Sequence, residues 1–221
     1  MNTMIEKYRK LLVSTKRKGI ADLFNHMVQN GFFESPASHR FHGVYPGGLA
    51  EHCKSVYDMV AKMQSKMKLD EITGAGQKPL PVSGDNMIIA CLLHDLCKMG
   101  AYISTGNGKY KYKDQPKGHA ELSITRLKGF IELAPVEEMM IRFHMGVYGL
   151  NEFYSEKDYG SGEYPLRGDH SQDAGLTKEE SKEARYGKSL ANAWYHNPIV
   201  KVMYFCDEIS TLAAKAEEAH P

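Results

Sequence analysis

In the run Ala90-Cys91-Leu92-Leu93-His94-Asp95-Leu96-Cys97-Lys98 an apolar segment suddenly presents a histidine, an aspartate and, one turn later, a lysine. Leu92, Leu93 and Leu96 mark the segment as a buried helix, where ionisable groups are costly unless they are paired or hold a metal. His94-Asp95 therefore reads as a metal-binding pair. A neutral nitrogen beside an anionic oxygen suits Zn, Mn or Fe and, with enough carboxylate and water, Mg. Lys98 projects from the same side of such a helix, and its ammonium could face whatever the metal holds. A phosphate is the natural guest.

Further candidates are His52, His119, His144 and Asp207, each on or at the end of a separate predicted helix. A lone histidine is more often a hydrogen-bonded core or surface residue than a ligand, and His26, His196 and His220 are read that way. His39, His42 and His170 lie in loops that could face a site. Asp207 has Phe205, Cys206 and Ile209 for neighbours, so a carboxylate there wants a cation or several donors. Cys53, Cys91, Cys97 and Cys206 form no C-x-x-C pair and are read as small packing residues, not disulfides or zinc thiolates.

The elements that must position these groups are mostly helical. Residues 4–30 carry Ile5, Tyr8, Leu11 and Leu12, then Ile20, Leu23, Phe24, Met27 and Val28, which predicts two amphipathic helices broken near Gly19. Residues 31–47 lose the period and form a loop. Leu49, Cys53, Val56, Val60, Met63 and Met67 repeat by four and three, so Gly48 to Lys68 is a helix with His52 on the edge of its buried face. A Gly- and Pro-bearing connection over 69–84 leads to the His94-Asp95 helix, with Asp85 able to cap it and Gly100 ending it. Tyr102 and its neighbours, and Lys109 to Lys113, flank Thr105-Gly106-Asn107-Gly108 and predict a small hairpin. Helices are expected over 118–133 and 135–145. Periodicity fails over 147–187 and returns in 188–196 and 198–219, where Ile199, Val202, Phe205, Ile209 and Leu212 are read as one buried stripe. Tyr148, Tyr154, Tyr159, Tyr164, Arg167 and His170 in the long loop could cover a nucleotide.

The 221 residues read as a single domain, 1–221, with 1–40 an N-terminal helical extension and 147–187 a loop insertion. Lys plus Arg total 28 against 27 Asp plus Glu, which excludes a sequence-wide charge for nucleic acid or anionic membrane, so any anion site is local. No apolar run approaches the roughly 20 residues that span a bilayer, and residues 1–7 lack a signal-peptide core. The expectation is a cytoplasmic protein without a membrane partner. The N-terminal helices could serve a homo-oligomer.

Gly47-Gly48-Leu49-Ala50-Glu51-His52, Leu92 to Lys98, Gly118-His119 and Phe143-His144-Met145-Gly146, followed by Asp207, resemble the HD superfamily of metal-dependent phosphohydrolases. In motif order they are most similar to the HD domain of bacterial 3′-to-5′ exoribonucleases, over roughly residues 42–212. The resemblance implies an all-α, compact HD-type helical domain, here with the hairpin after the His-Asp helix. It also implies one or two divalent ions (Mn, Fe, Zn or Mg), the first on His52, His94, Asp95 and Asp207. Asp95 would bridge to a second ion on His119 and His144. Related two-metal members often carry a His-His pair where this chain has His144-Met145. The implied activity is hydrolysis of a phosphate ester or anhydride of a nucleotide by metal-activated water, with Asp95 and Lys98 catalytic. Lys98, His42, Arg167 and Lys111 are candidates for substrate contact. Lys109, Lys111 and Lys113 alternate with Tyr110 and Tyr112, giving a basic and an aromatic face, although lysines also protect edge strands. The alternatives are a 3′-to-5′ exonuclease or phosphodiesterase on single-stranded nucleic acid and a non-catalytic metal-containing nucleotide sensor. The near-neutral charge balance favours a nucleotide or other small phosphorylated substrate.

Overall fold

The computed structural model describes residues 2–67, 80–113, 118–149 and 178–219. Eight α-helices and one hairpin lie among them. They are α1 (Asn2–Ser14), α2 (Ile20–Gln29), α3 (Gly48–Met67), α4 (Gly84–Leu93), β1 (Tyr102–Gly106), β2 (Lys109–Tyr112), α5 (His119–Lys128), α6 (Pro135–Arg142), α7 (Lys178–His196) and α8 (Pro198–Ala219). The described chain is thus mostly helical, as expected for the all-α class.

Helix α4 is the axis of the core. From Ile88 to Leu93 every residue is buried, so beyond its exposed first turn the helix has no solvent face and must be surrounded. Helices α1, α3 and α6 pack against it, and α8 crosses both α3 and α6. Its start is set by Ser83, not by Asp85. Asn86 N donates to Ser83 Oγ at 3.2 Å while Asn86 Oδ1 accepts from Ser83 N at 2.8 Å, so two end groups are satisfied reciprocally. The helix also stops earlier than its apolar run suggests. It ends at Leu93, and Asp95 leads into a single 3₁₀ turn, Leu96–Lys98. Ser123 and Arg126 of α5 pin that turn: Cys97 N donates to Ser123 Oγ at 3.1 Å, and Arg126 donates to the Cys97 carbonyl at 3.0 Å.

Three other boundaries and one face depart from the sequence reading. α5 ends at Lys128, before the expected Leu133, and α6 ends at Arg142, so His144 sits in the turn beyond it. α7 begins at Lys178, ten residues before the expected Lys188. Its first turns are Lys-, Glu- and Ala-rich, with strong helix propensity but little apolar period. In α8 the predicted stripe is buried at Ile199 and Val202 but turned outward further on, with Phe205 46%, Ile209 51% and Leu212 61% exposed. The buried face instead runs Ile199, Met203, Cys206, Asp207 and Ser210, because two polar residues that serve the interior replace apolar ones.

A buried ion pair ties the outer helices to this axis. Glu137 on α6 accepts from Arg17 at 2.7 and 3.0 Å, from Asn86 at 2.9 Å and from Ala134 N at 2.8 Å. Every carboxylate oxygen is thereby matched, the condition under which a fully buried charge is tolerable. All four cysteines are free and buried, as their reading as packing residues requires. No helix among the described residues is long and apolar enough to cross a membrane.

Candidate metal centre

Five elements deliver side chains to one point. His52 comes from the second turn of α3, His94 and Asp95 from the end of α4, His119 from the first residue of α5, His144 from the turn after α6, and Asp207 from the middle of α8. All six are buried. Two glycines set the approach. A Cβ on Gly48 would lie 2.2 Å from the Gly43 carbonyl oxygen, so the loop before α3 closes directly onto the helix that carries His52. Gly146 has φ +51, and a Cβ there would meet the Tyr204 ring at 2.5 Å; its carbonyl accepts from Tyr186 at 2.6 Å. Only glycine combines that left-handed turn with that contact, and the turn aims His144 inward.

Asp95 is the hub. Its Oδ2 lies 2.7 Å from Lys98 Nζ, 3.3 Å from His94 Nε2 and 3.9 Å from His52 Nε2. Its Oδ1 faces the other way, 3.6 Å from His119 Nε2 and 3.7 Å from His144 Nε2. Asp207 Oδ1 closes the first group at 2.9 Å from His52 Nε2 and 3.6 Å from His94 Nε2. The result is a carboxylate-rich half, His52, His94, Asp95 and Asp207, and a histidine half, His119 and His144, that borrows the other oxygen of Asp95. His119 Nε2 and His144 Nε2 stand 3.1 Å apart.

The imidazoles are oriented from behind. His94 Nδ1 hydrogen-bonds the Cys91 carbonyl at 2.9 Å and His144 Nδ1 the Ile141 carbonyl at 2.6 Å, so each Nδ1–H donates and each Nε2 is turned to the centre. Ser210 Oγ sits 3.2 Å from His52 Nδ1. Such backing is what fixes tautomer and ring direction in metal-ligating histidines. Glu121, buried beside His119, pairs with Arg142 and so ties α5 to α6, the two elements that bear His119 and His144.

The two carboxylates are held ionised, and although burial opposes the charge on His94, Cys53, Asp95 and Asp207 raise that imidazole well above its ordinary range. Burial alone would raise Asp95, but Lys98, then His94 and His119, hold its carboxyl well below the ordinary carboxylate range. Burial opposes Asp207 as well, and the adjacent His52 and His94 imidazoles outweigh it, holding its carboxyl well below the ordinary carboxylate range. Burial, with His94 and His119 adding repulsion, pushes His144 down to about 3, so it is a neutral ring at pH 7. Burial opposes the Lys98 ammonium, but Asp95 and Tyr102 raise its pKa well above the ordinary lysine value.

The residues fit a divalent ion. His94 Nε2 and Asp95 Oδ1 are buried with no hydrogen-bond partner among the described residues, an arrangement that costs free energy unless a cation completes it. Three overlapping groups, His52-His94-Asp95, His94-His144-Asp207 and Asp95-His119-His144, each bring their ligand atoms within 4.8 Å of one another. The donor set of imidazole and carboxylate admits Zn, Mn and Fe alike.

A cavity of about 270 Å³ opens onto the cluster. His42, Lys98, Tyr102, Tyr112, Met145 and Glu208 are among its lining residues. His42 is on this wall, with its ring 4.8 Å from that of His52. Lys111 is not. It is exposed and alternates to the hairpin face opposite Tyr112, which turns inward with its cross-strand partner Tyr102. Arg167, His170 and Tyr154 to Tyr164 lie outside the described residues. Met145 lines the cavity. Ser123, Arg126, Ser210 and the Glu121–Arg142 pair escaped the sequence reading. They are ordinary polar residues whose partners are remote in sequence, and only Ser210, three after Asp207 on one helix, carried a local signal.

No family model matches the chain, and no solved structure matches it. Among characterised proteins it is similar to the dihydroneopterin 2′,3′-cyclic phosphate phosphodiesterase of Methanocaldococcus jannaschii, 35% identical over 95 residues. That stretch covers 42% of this chain and 35% of the relative, so the chain spans about a third of the protein it matches.

Proposed function

We propose that the chain is an HD-type, metal-dependent phosphohydrolase that cleaves a phosphate ester of a nucleotide or nucleotide-like small molecule, a phosphodiester foremost. The observation that carries this reading is Asp95, whose two oxygens face two separate histidine groups while Lys98 stands 2.7 Å from one of them. His52, His94, Asp95 and Asp207 would hold one divalent ion, and Asp95, His119 and His144 a second. Such ions acidify water towards neutrality and offset charge on phosphoryl oxygens.

The chain's own groups do the rest. Asp95, held ionised by its neighbours, keeps both halves in one register and orients what they hold. Lys98, fixed to Asp95 and lining the cavity, faces the phosphoryl oxygens and offsets the charge that builds on them in the transition state. Because Asp95 already anchors it, little ordering is left for the moment of reaction. Neutral His42, on the wall beside His52, lends the substrate a donor or an acceptor. Hydrolysis adds water across the phosphorus–oxygen bond, the oxygen going to phosphorus and a proton to the leaving group.

The test is chromatographic detection of products from cyclic nucleotides, nucleoside mono-, di- and triphosphates and short single-stranded oligonucleotides, with Mn supplied. The reading expects one product class from the wild type and none from Asp95→Ala. Tight nucleotide binding without any product, in protein shown to carry metal, would replace it with a sensor.

A further inference from the structure

The cavity has a second wall that the hydrolytic groups do not use. Phe41 lies at its rim, half exposed, although a large apolar ring at a cleft mouth would ordinarily be covered. The His39 ring sits 6.0 Å from Phe41 on one side and 4.9 Å from Tyr112 on the other. Tyr112 in turn is 4.9 Å from Tyr102 at an interplanar angle of 32°. Phe41, Tyr112 and Tyr102 line the cavity with Lys98, and His39 links them from behind, edge-on to Phe41 at 79° and tilted against Tyr112 at 49°.

The band is built, not incidental. Ser38 Oγ accepts from Phe41 N at 2.8 Å and His42 N at 2.9 Å and donates to the His42 carbonyl at 2.9 Å. That single hydroxyl fixes the backbone that presents both side chains. His42, only 8% exposed, has neither ring nitrogen hydrogen-bonded. A buried imidazole without partners, lining the same cleft, marks a place where a ligand supplies them. Two cations stand over the half-exposed Phe41 ring, Arg40 Cζ at 4.8 Å and Lys215 Nζ, from α8, at 5.6 Å from its centroid, and a stacked heterocycle would displace one of them while the rim stays cationic.

We propose that this band is a stacking subsite for the planar heterocycle of the substrate, seated on Phe41 and Tyr112 while its phosphate lies at Lys98. The proposal rests on the phosphohydrolase reading for the phosphate end and adds the part of the substrate that sets specificity. A ring stacked on aromatic side chains is bound through its face, so the subsite favours purines and other fused nitrogen heterocycles by area, and a bare sugar phosphate gains nothing from it.

Binding of guanosine 5′-monophosphate and ribose 5-phosphate to manganese-loaded full-length protein tests this by calorimetry, with chromatography of each mixture afterwards. Wild type should bind the nucleotide at least about tenfold tighter, the effect of roughly one stacked base. Phe41→Ala should bring the two ligands to within about threefold of one another, and Phe41→Trp should retain the preference. Equal binding of both ligands by the wild type, or an undiminished preference in Phe41→Ala, would overturn the subsite. The ratio of the two affinities reports the subsite whether or not either monoester is hydrolysed, and the product panel with cyclic nucleotides and oligonucleotides tests the phosphohydrolase reading separately, so the two failures are distinguishable.

Discussion

The two halves of the centre share one aspartate but are built differently. The carboxylate-rich half draws on α3, α4 and α8, all long or deeply packed elements, and places two anionic groups among two histidines. The histidine half stands on the first residue of α5 and on a turn after α6. It owns no carboxylate, and the next residue is Met145. Anionic oxygen is what offsets the charge of a divalent ion, so the first half should hold its ion tightly and the second should fill later and depend on Asp95. One shared residue thereby links two sites of unequal strength.

The largest effect that could break this comparison is removal of the hub. Asp95→Ala takes an oxygen from both halves, and product formation should fall by roughly a thousandfold or more, with metal content at background by elemental analysis. Asp207→Asn and His144→Ala should separate the halves. The first should weaken the tighter ion by at least about tenfold, whereas the second should leave that ion in place and lose only the weaker one. Equal losses from both would contradict the ranking. Lys98→Met should leave metal content unchanged and lower kcat by roughly a hundredfold, a split that separates a charge-offsetting role from a ligand role.

Smaller effects test the scaffold. Gly146→Ala forces a Cβ against Tyr204 at the turn bearing His144, and should cost about 1–3 kcal/mol of stability while weakening the second ion more than the first. Tyr8→Phe removes the hydrogen bond to the Ala50 carbonyl, 2.9 Å long and in the core. It should cost about 1 kcal/mol, a fall in Tm of roughly 2–4 °C, with metal content untouched.

Much of the centre was legible because its residues conflict with their surroundings. His94-Asp95 breaks an apolar run, and Asp207 interrupts a helix rich in Phe, Cys and Ile. Both signals are local, and the HD-like order of motifs joined them. What was not legible depends on contacts remote in sequence. α4 stops at Leu93 because Ser123 and Arg126, about thirty residues on, hold the following turn. Arg17 and Glu137 meet across 120 positions. In α8 the apolar stripe marks the buried face at Ile199 and Val202 and loses it from Phe205 onward, because the fold turns Asp207 and Ser210 inward in place of apolar residues. The hairpin was recognisable from its alternation, but which face turns inward is decided by its pairing and by His39 behind Tyr112, not by residue type.

The most direct test is anomalous diffraction at the manganese edge from crystals grown with manganese, read against ion concentration. The account predicts one strong peak among His52, His94, Asp95 and Asp207 at low manganese. A second should appear beside His119 and His144 only at higher concentration, and Asp95→Ala should abolish both. A peak that forms first at the histidine half, or the absence of any peak at Asp95, would contradict it.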